Sequence, residues 1–322
     1  MFKRILIYNS GGGLGDSIQL FPLILSLKNH YKNCTFFYLG AHQNHFNQAL
    51  KEYNITLDTI DLGLKYFGFR WWHLLKIPKI INEKSLDKFD LIVDLQSKLR
   101  NTLILKQIPS DNFYSSTLNF FFCTQKNKYL KKKNDLSLDT LLNLEIFFNT
   151  KIKKIDFSIE MLEKKYINES KKLLPGNSYI GFSLTQGNAY RKKNWQIDNF
   201  INLAKKYIIN GKKTVFFIKK KEIKLVKYIK ENIPGALFPE HESNISCPAL
   251  VTALALRLEK AITIDNGVMH MIGLSKIPMI VLFGPTNSEK FAPNRSNVEI
   301  FDSKKMYRSN DINKITVNDI LK

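Results

Sequence analysis

Three short stretches of the 322-residue chain carry the residues best suited to chemistry. The first is Asn9-Ser10-Gly11-Gly12-Gly13-Leu14-Gly15-Asp16, a glycine-rich turn that follows an apolar run and ends on a carboxylate. Junctions of this kind normally hold a pyrophosphate on backbone amides at a helix start. Here Asp16 stands where the third glycine of that pattern belongs, and its charge repels a pyrophosphate. No Gly-Lys-Ser/Thr follows either, so the loop is not read as a nucleotide site. Asp16 has two compatible readings. One is a helix N-cap with Gln19 completing a capping box; the other is a general base that takes a proton from an attacking hydroxyl. The surplus of glycines, Gly13 and Gly15 among them, suits the close approach of a ligand.

The second stretch runs from Thr263 to Pro293. Asp265 ends a strand, Asn266 and Gly267 turn the chain, and Val268–Leu274 begins a helix whose first amides suit an anion. Asp265 is placed to accept hydrogen bonds from ribose hydroxyls. His270 either touches a phosphate or is a half-buried structural histidine. Gly284-Pro285-Thr286 then forms a second loop at the same edge, and two such loops fit a nucleoside diphosphate. The third stretch, Thr185–Trp195, places Lys193 where it meets a diphosphate or simply continues a solvated lysine run, with Trp195 covering a helix start.

These residues need a scaffold that brings strand ends together, and the pattern supplies one. Apolar runs at Ile5–Tyr8, Thr35–Leu39, Phe89–Leu95, Tyr179–Leu184, Lys213–Ile218, Ala261–Ile264 and Met279–Phe283 read as buried strands. Helical stretches such as Ser17–Asn29 and Ile197–Ile209 lie between them, which predicts βαβ units and parallel sheets. Leu162–Leu174 is a charged helical stretch closed by Pro175-Gly176, and a boundary is expected there. The expected division is 1–165, 166–303 and a tail, 304–322, that returns as a helix to the first domain. Two domains also match the length.

Composition narrows the class. Lys and Arg total 49 against 28 Asp and Glu, a formal net charge of +21. Only seven of the bases are arginine (Arg4, Arg70, Arg100, Arg191, Arg257, Arg295, Arg308), whereas dedicated nucleic-acid readers lean on arginine. The excess therefore points to anionic partners in general rather than to specific nucleic-acid binding. Hydrophobic residues make up 44%, too many for a disordered polycation. Three scattered cysteines, Cys34, Cys123 and Cys247, exclude a disulfide scaffold and suggest a reducing compartment. The start shows no signal peptide and no apolar run long enough to span a bilayer, so a cytoplasmic protein, peripheral on the cytoplasmic face of the inner membrane, is expected.

Four of these segments together resemble the motifs of glycosyltransferase family nine, the ADP-heptose:lipopolysaccharide heptosyltransferases. They are Gly15-Asp16 with Pro22, Lys193-Asn194-Trp195, Asp265-Asn266-Gly267-Val268-Met269-His270 and Phe283-Gly284-Pro285-Thr286. The resemblance implies a GT-B architecture: α/β, with two Rossmann-like parallel-sheet domains facing a central cleft. It implies inverting transfer from a nucleotide-sugar donor to a lipid-linked acceptor, with no metal and no cofactor. By position Asp16 becomes the catalytic base. Lys193, Asp265, Asn266, Gly267, His270, Gly284 and Thr286 become the donor site. The chain departs from the family in having Gln196 where proline is usual, and in Phe217-Ile218-Lys219-Lys220-Lys221-Glu222 where a small glycine-rich strand end is common. The alternatives are a GT-B transferase with another nucleotide-sugar donor, or a basic nucleic-acid-binding or scaffolding α/β protein.

Two stretches, Lys65–Lys79 and Asn119–Lys133, interleave aromatics with bases as interfacial segments do. Their contrasting reading is core: Trp71, Trp72, Leu74 and Leu75 packed inside, and Phe120–Phe122 a buried strand. Arg70 and Arg100 are candidates for anionic groups of the acceptor.

Overall fold

The computed structural model describes residues 2–10, 13–40, 44–63, 69–131, 135–185 and 193–321. The chain divides into two compact units, Met1–Phe157 and Ser158–Lys322. In the first, strands β1 (Arg4–Asn9), β2 (Thr35–Gly40), β3 (Asp58–Thr59), β4 (Phe89–Asp94) and β5 (Ser110–Ser115) form one parallel sheet in the order 3-2-1-4-5. Helices α1 (Leu14–Ile18), α2 (Phe21–His30), α3 (His73–Glu83), α4 (Leu99–Leu105) and α5 (Leu136–Phe148) alternate with them. Contacts join α2 to α5 and α3 to α4, as expected when crossovers run outward from β1 and β4 in opposite directions.

The second unit opens with α6 (Lys164–Leu173) and carries β6 (Tyr179–Ser183), α7 (Ile197–Ile209), β7 (Lys213–Phe217), α8 (Ile223–Asn232), α9 (Pro239–Glu242) and α10 (Pro248–Ala255). There follow β8 (Leu258–Ile264), α11 (Gly267–Gly273), β9 (Met279–Phe283), α12 (Ser288–Phe291), β10 (Val298–Asp302), α13 (Ser303–Tyr307) and α14 (Val317–Leu321). Its parallel sheet has the order β10-β9-β8-β6-β7, and Leu237 adds a single parallel bridge outside β7 at Val215. With that bridge counted as a strand, the order is that of a complete dinucleotide-type sheet.

The central strands are nearly continuous apolar runs because both faces are covered: Ile5, Leu6 and Ile7 of β1, and Ile262 and Ile264 of β8, are fully buried. β3, β5 and β10 are not announced by apolar runs, and all three lie at sheet edges. β5 (SDNFYS) and β10 (VEIFD) keep polar residues because one flank meets solvent. The expected single helix Ser17–Asn29 is two helices. Pro22 has no N–H to give and sits in the first turn of α2, so the helix restarts at Phe21.

Two expected boundaries move. The division falls at Phe157/Ser158 rather than 165/166, since α6 packs on α10 and Arg257 donates from Nε to the Leu174 carbonyl at 3.0 Å. Just after the boundary, Ile159–Met161 forms a single 3-10 turn. The tail is part of the second unit instead of a helix returning to the first. Ile312, Ile315 and Ile320 are buried in the core that holds Phe182, Phe200 and Phe216, and α14 packs on α7.

Candidate active site

In a doubly wound sheet, ligands gather where the strand order reverses, beyond the carboxyl ends of the two diverging strands. In the first unit that point lies between β1 and β4, and in the second between β6 and β8. Asp16 follows β1. Lys193 and Asp265 follow β6 and β8.

Gly11 and Gly12 lie outside the described residues, so the loop is seen from Gly13. α1 begins at Leu14 with Gly13 as its N-cap, and Asp16 is therefore the third helical residue rather than the cap itself. Its Oδ2 accepts the Gly13 N–H at 3.1 Å. A Cβ on Gly13 would lie 3.2 Å from that oxygen, so the glycine gives the carboxylate room. Gly15 is buried under the half-buried Asp16. One carboxylate oxygen is thus anchored by the backbone, which fixes the direction of the other.

Beside this loop lies a polar network that sequence reasoning missed. Asp94 ends β4 and is buried, where its carboxylate accepts from Thr102 Oγ1 at 2.6 Å, Ser115 Oγ at 2.8 Å and Gln96 N–H at 2.9 Å. Burial pushes its pKa up to about 6, against those three hydrogen bonds, which favour the charged form. Gln96 in turn donates from Nε2 to Asn9 Oδ1 at 2.8 Å, tying the end of β4 to that of β1. The signal was present: an acidic residue closing a buried strand at the edge that bears Asp16.

Arg70 and Arg100 are drawn toward the same edge. Phe69 stacks on Tyr8 of β1 with ring centroids 5.1 Å apart. Arg100 acts electrostatically on Tyr8 and, with Lys76 and Arg70, on the buried His73. Burial first, and then these cations, push His73 below the usual imidazole range. Arg70, Lys76 and Arg100 thus make this edge basic.

In the second unit, residues 186–192 lie outside the described set, and Lys193 is the first one seen after that loop. Its ammonium forms a salt bridge with Asp265 Oδ2, and both side chains are largely buried. Asn266 caps α11: Oδ1 accepts the Met269 N–H at 2.8 Å, while Nδ2 donates to Ser183 Oγ at 2.9 Å and the Thr185 carbonyl at 3.0 Å. Asn266 therefore joins the end of β6 to the start of α11, whose first residue is Gly267. His270 is buried in the first turn of that helix. Thr286 is buried and, among the described residues, its hydroxyl has no hydrogen-bond partner, a cost that a bound polar group would relieve.

Gly284 has a different reason for being glycine. A Cβ there would come within 3.0 Å of Ile312 Cβ and 3.1 Å of the Asn310 carbonyl oxygen. The same C-terminal segment holds the Lys193 loop. Trp195 Nε1 donates to the Ile315 carbonyl at 2.7 Å, and Gln196 N–H donates to Asn313 Oδ1 at 2.8 Å. That N–H is one a proline at 196 would lack, so Asn313 and Gln196 form a matched pair.

A second unexpected carboxyl is Glu240 of α9, pushed up to about 7 by burial, with Lys219, Lys220 and Glu222 close by near the end of β7. A cavity of about 450 Å³ opens elsewhere, between α5 and Tyr129–Lys131, and holds none of these residues. Among the described residues no three His, Cys, Asp or Glu gather as metal ligands, and no helix is long and apolar enough to cross a membrane.

Comparison with known proteins identifies the family. The sequence model of glycosyltransferase family 9 (heptosyltransferase) matches residues 83–321. Lipooligosaccharide heptosyltransferase 2 of Campylobacter jejuni is 23% identical over 292 residues, covering 87% of this chain and 81% of that protein. Among solved structures, a family 9 glycosyl transferase from Veillonella parvula aligns with a TM-score of 0.68 at 18% identity, over 99% of this chain and 95% of that one. The E. coli heptosyltransferase WaaC with ADP-2-deoxy-2-fluoro heptose aligns with a TM-score of 0.66 at 14% identity, over 99% and 98%. The fold is GT-B, and the chain belongs to glycosyltransferase family 9, the heptosyltransferase family.

Proposed function

We propose that this glycosyltransferase moves a heptose from an ADP-linked donor to a lipopolysaccharide-type core acceptor, with inversion at the anomeric carbon. The observation that carries the donor half is the Lys193–Asp265 pair at the strand-order reversal of the second sheet, with the unpartnered Thr286 hydroxyl on the loop after neighbouring β9. Lys193 offsets the diphosphate charge, Asp265 and the Asn266–His270 turn hold the nucleotide, and Thr286 reaches a phosphate or sugar oxygen. Without donor, Asp265 neutralises Lys193. Donor phosphates then share or take over that ammonium, which keeps a buried cation from standing alone.

In the reaction, an acceptor hydroxyl oxygen attacks the anomeric carbon as the bond from that carbon to the diphosphate oxygen breaks. Asp16 takes the hydroxyl proton on the carboxylate oxygen not held by Gly13, and the nucleoside diphosphate leaves with the bond's electron pair. Arg70 and Arg100 face anionic groups of the acceptor. The scheme calls on no metal ion, since Lys193 supplies the positive charge.

A thermal-shift series tests the donor assignment. ADP and ADP-heptose should raise Tm more than UDP and UDP-sugars do. Saturation at 100 times Kd is worth about 2.7 kcal/mol. Lys193→Ala should weaken ADP binding at least about tenfold, roughly 1.4 kcal/mol. If no nucleoside diphosphate moves Tm, the donor site is misplaced.

A further inference from the structure

Large apolar side chains stand in water on the first unit, among them Trp71 (54% exposed), Trp72 (48%), Leu75 (85%), Leu118 (63%) and Phe121 (61%). Of the two readings of these segments, the core one therefore fails for the tryptophans and Leu75, and so does a buried strand at Phe120–Phe122. The buried side of α3 is already made by His73 and Ile77, with Leu74, Ile80 and Ile81 packed against the core beneath, so Leu75 and the tryptophans before the helix are left outside. Phe120 alone of its trio turns fully inward.

Both clusters are rooted at one edge. Phe69, two residues before Trp71, stacks on Tyr8 near the end of β1. Leu118–Phe122 follows β5 directly, and Phe122 packs on the core that holds Leu74. In a parallel sheet the ends of β1 and β5 lie along the same carboxyl edge, from which the Asp16 loop also departs.

Charge and backbone point the same way. Residues 69–82 and 116–131 contain no Asp or Glu but hold Arg70, Lys76, Lys79, Lys126, Lys128 and Lys131. Lys126 lies 4.2 Å from the Phe121 ring centroid and donates to the Phe121 carbonyl at 2.8 Å. Leu118, Asn119 and Phe120 all have left-handed backbone, at φ 46°, 52° and 64°. Such conformations are unfavourable for bulky residues and persist where a function holds them.

We propose that this edge docks on an anionic phospholipid bilayer. Trp71, Trp72, Leu75, Leu118 and Phe121 enter the interface, and Arg70, Lys76 and Lys126 meet lipid phosphates, while Lys79 pairs with Glu83 at 3.6 Å. The placement deepens the acceptor half of the function proposed above, since it sets the Asp16 edge at the surface where a lipid-linked sugar is presented.

The test uses the full chain and vesicles, without donor or acceptor, so it stands or falls apart from the transfer reaction. Vesicles of phosphatidylcholine with phosphatidylglycerol should sediment the protein, weakly at high salt, and phosphatidylcholine alone should not. Tryptophan emission should shift to the blue on binding; Trp195 is already buried, so the shift reports Trp71 and Trp72. The pair W71S/W72S, and separately L118S/F121S, should lower partitioning at least about tenfold, with Tm and ADP affinity unchanged. Sedimentation that survives in both variants, no sedimentation with either vesicle, or a concentration-dependent dimer abolished by the same substitutions overturns the proposal.

Discussion

Asp94 shows how a single buried group sets a measurable property. Its native pKa near 6 lies about two decades above that of an ordinary carboxylate. Between roughly pH 4 and 6 the native state holds a proton that the unfolded chain has lost, so stability falls as pH rises through that window. Above pH 6 the full cost, on the order of 3 kcal/mol, is present. Asp94→Asn should therefore show a flatter Tm profile than the parent between pH 4.5 and 7, and should gain relative stability at neutral pH. Identical profiles would mean that the carboxylate is not held in this desolvated state. Asp16 differs in kind: it is half-buried, and the Gly13 N–H holds one of its oxygens. The sequence made Asp16 conspicuous because it broke a glycine pattern. Asp94 broke nothing, since an acid at a strand end reads as ordinary until Thr102 and Ser115 are seen to converge on it.

At the scale of elements, the C-terminal segment braces the loops proposed to hold the donor. Residues 310–315 touch Gly284 on one loop and bond Trp195 and Gln196 on another, while Lys304 donates to the Pro285 carbonyl at 2.7 Å. Asn313→Ala should cost about 1 kcal/mol of stability through the loss of its side-chain hydrogen bonds to Gln196, Asn194 and Asp311, and should lower ADP affinity several-fold by loosening Lys193. Gly284→Ala forces a methyl against backbone atoms and should cost about 1–3 kcal/mol. Melting curves with and without ADP separate the two effects; unchanged ADP affinity in Asn313→Ala would show that the segment is a passive cover. The central strands were legible because burial on both faces makes apolar runs. Edge strands β3, β5 and β10 were not, and neither was the tail's destination, since Ile312, Ile315 and Ile320 announce burial without saying in which core. The spacing of Lys193, Asp265 and Thr286 gave their grouping in outline. Their ion pair and the unsatisfied hydroxyl needed coordinates.

Over the whole molecule, the +21 charge is mostly a lysine background on solvent-exposed faces, and polyanions should retain the protein with a salt dependence that does not involve Asp16. In the proposed mechanism, function concentrates instead at two carboxyl sheet edges, one bearing an acid and one a masked cation, and substitutions in the two halves of the chain should separate their tasks. The decisive measurement compares Asp16→Asn with the parent for ADP binding and for turnover with donor and acceptor. The account predicts ADP affinity within about twofold and turnover reduced at least about 1,000-fold, within the usual range for loss of a general base. Turnover within tenfold of the parent, with the variant folded and ADP bound, would contradict it.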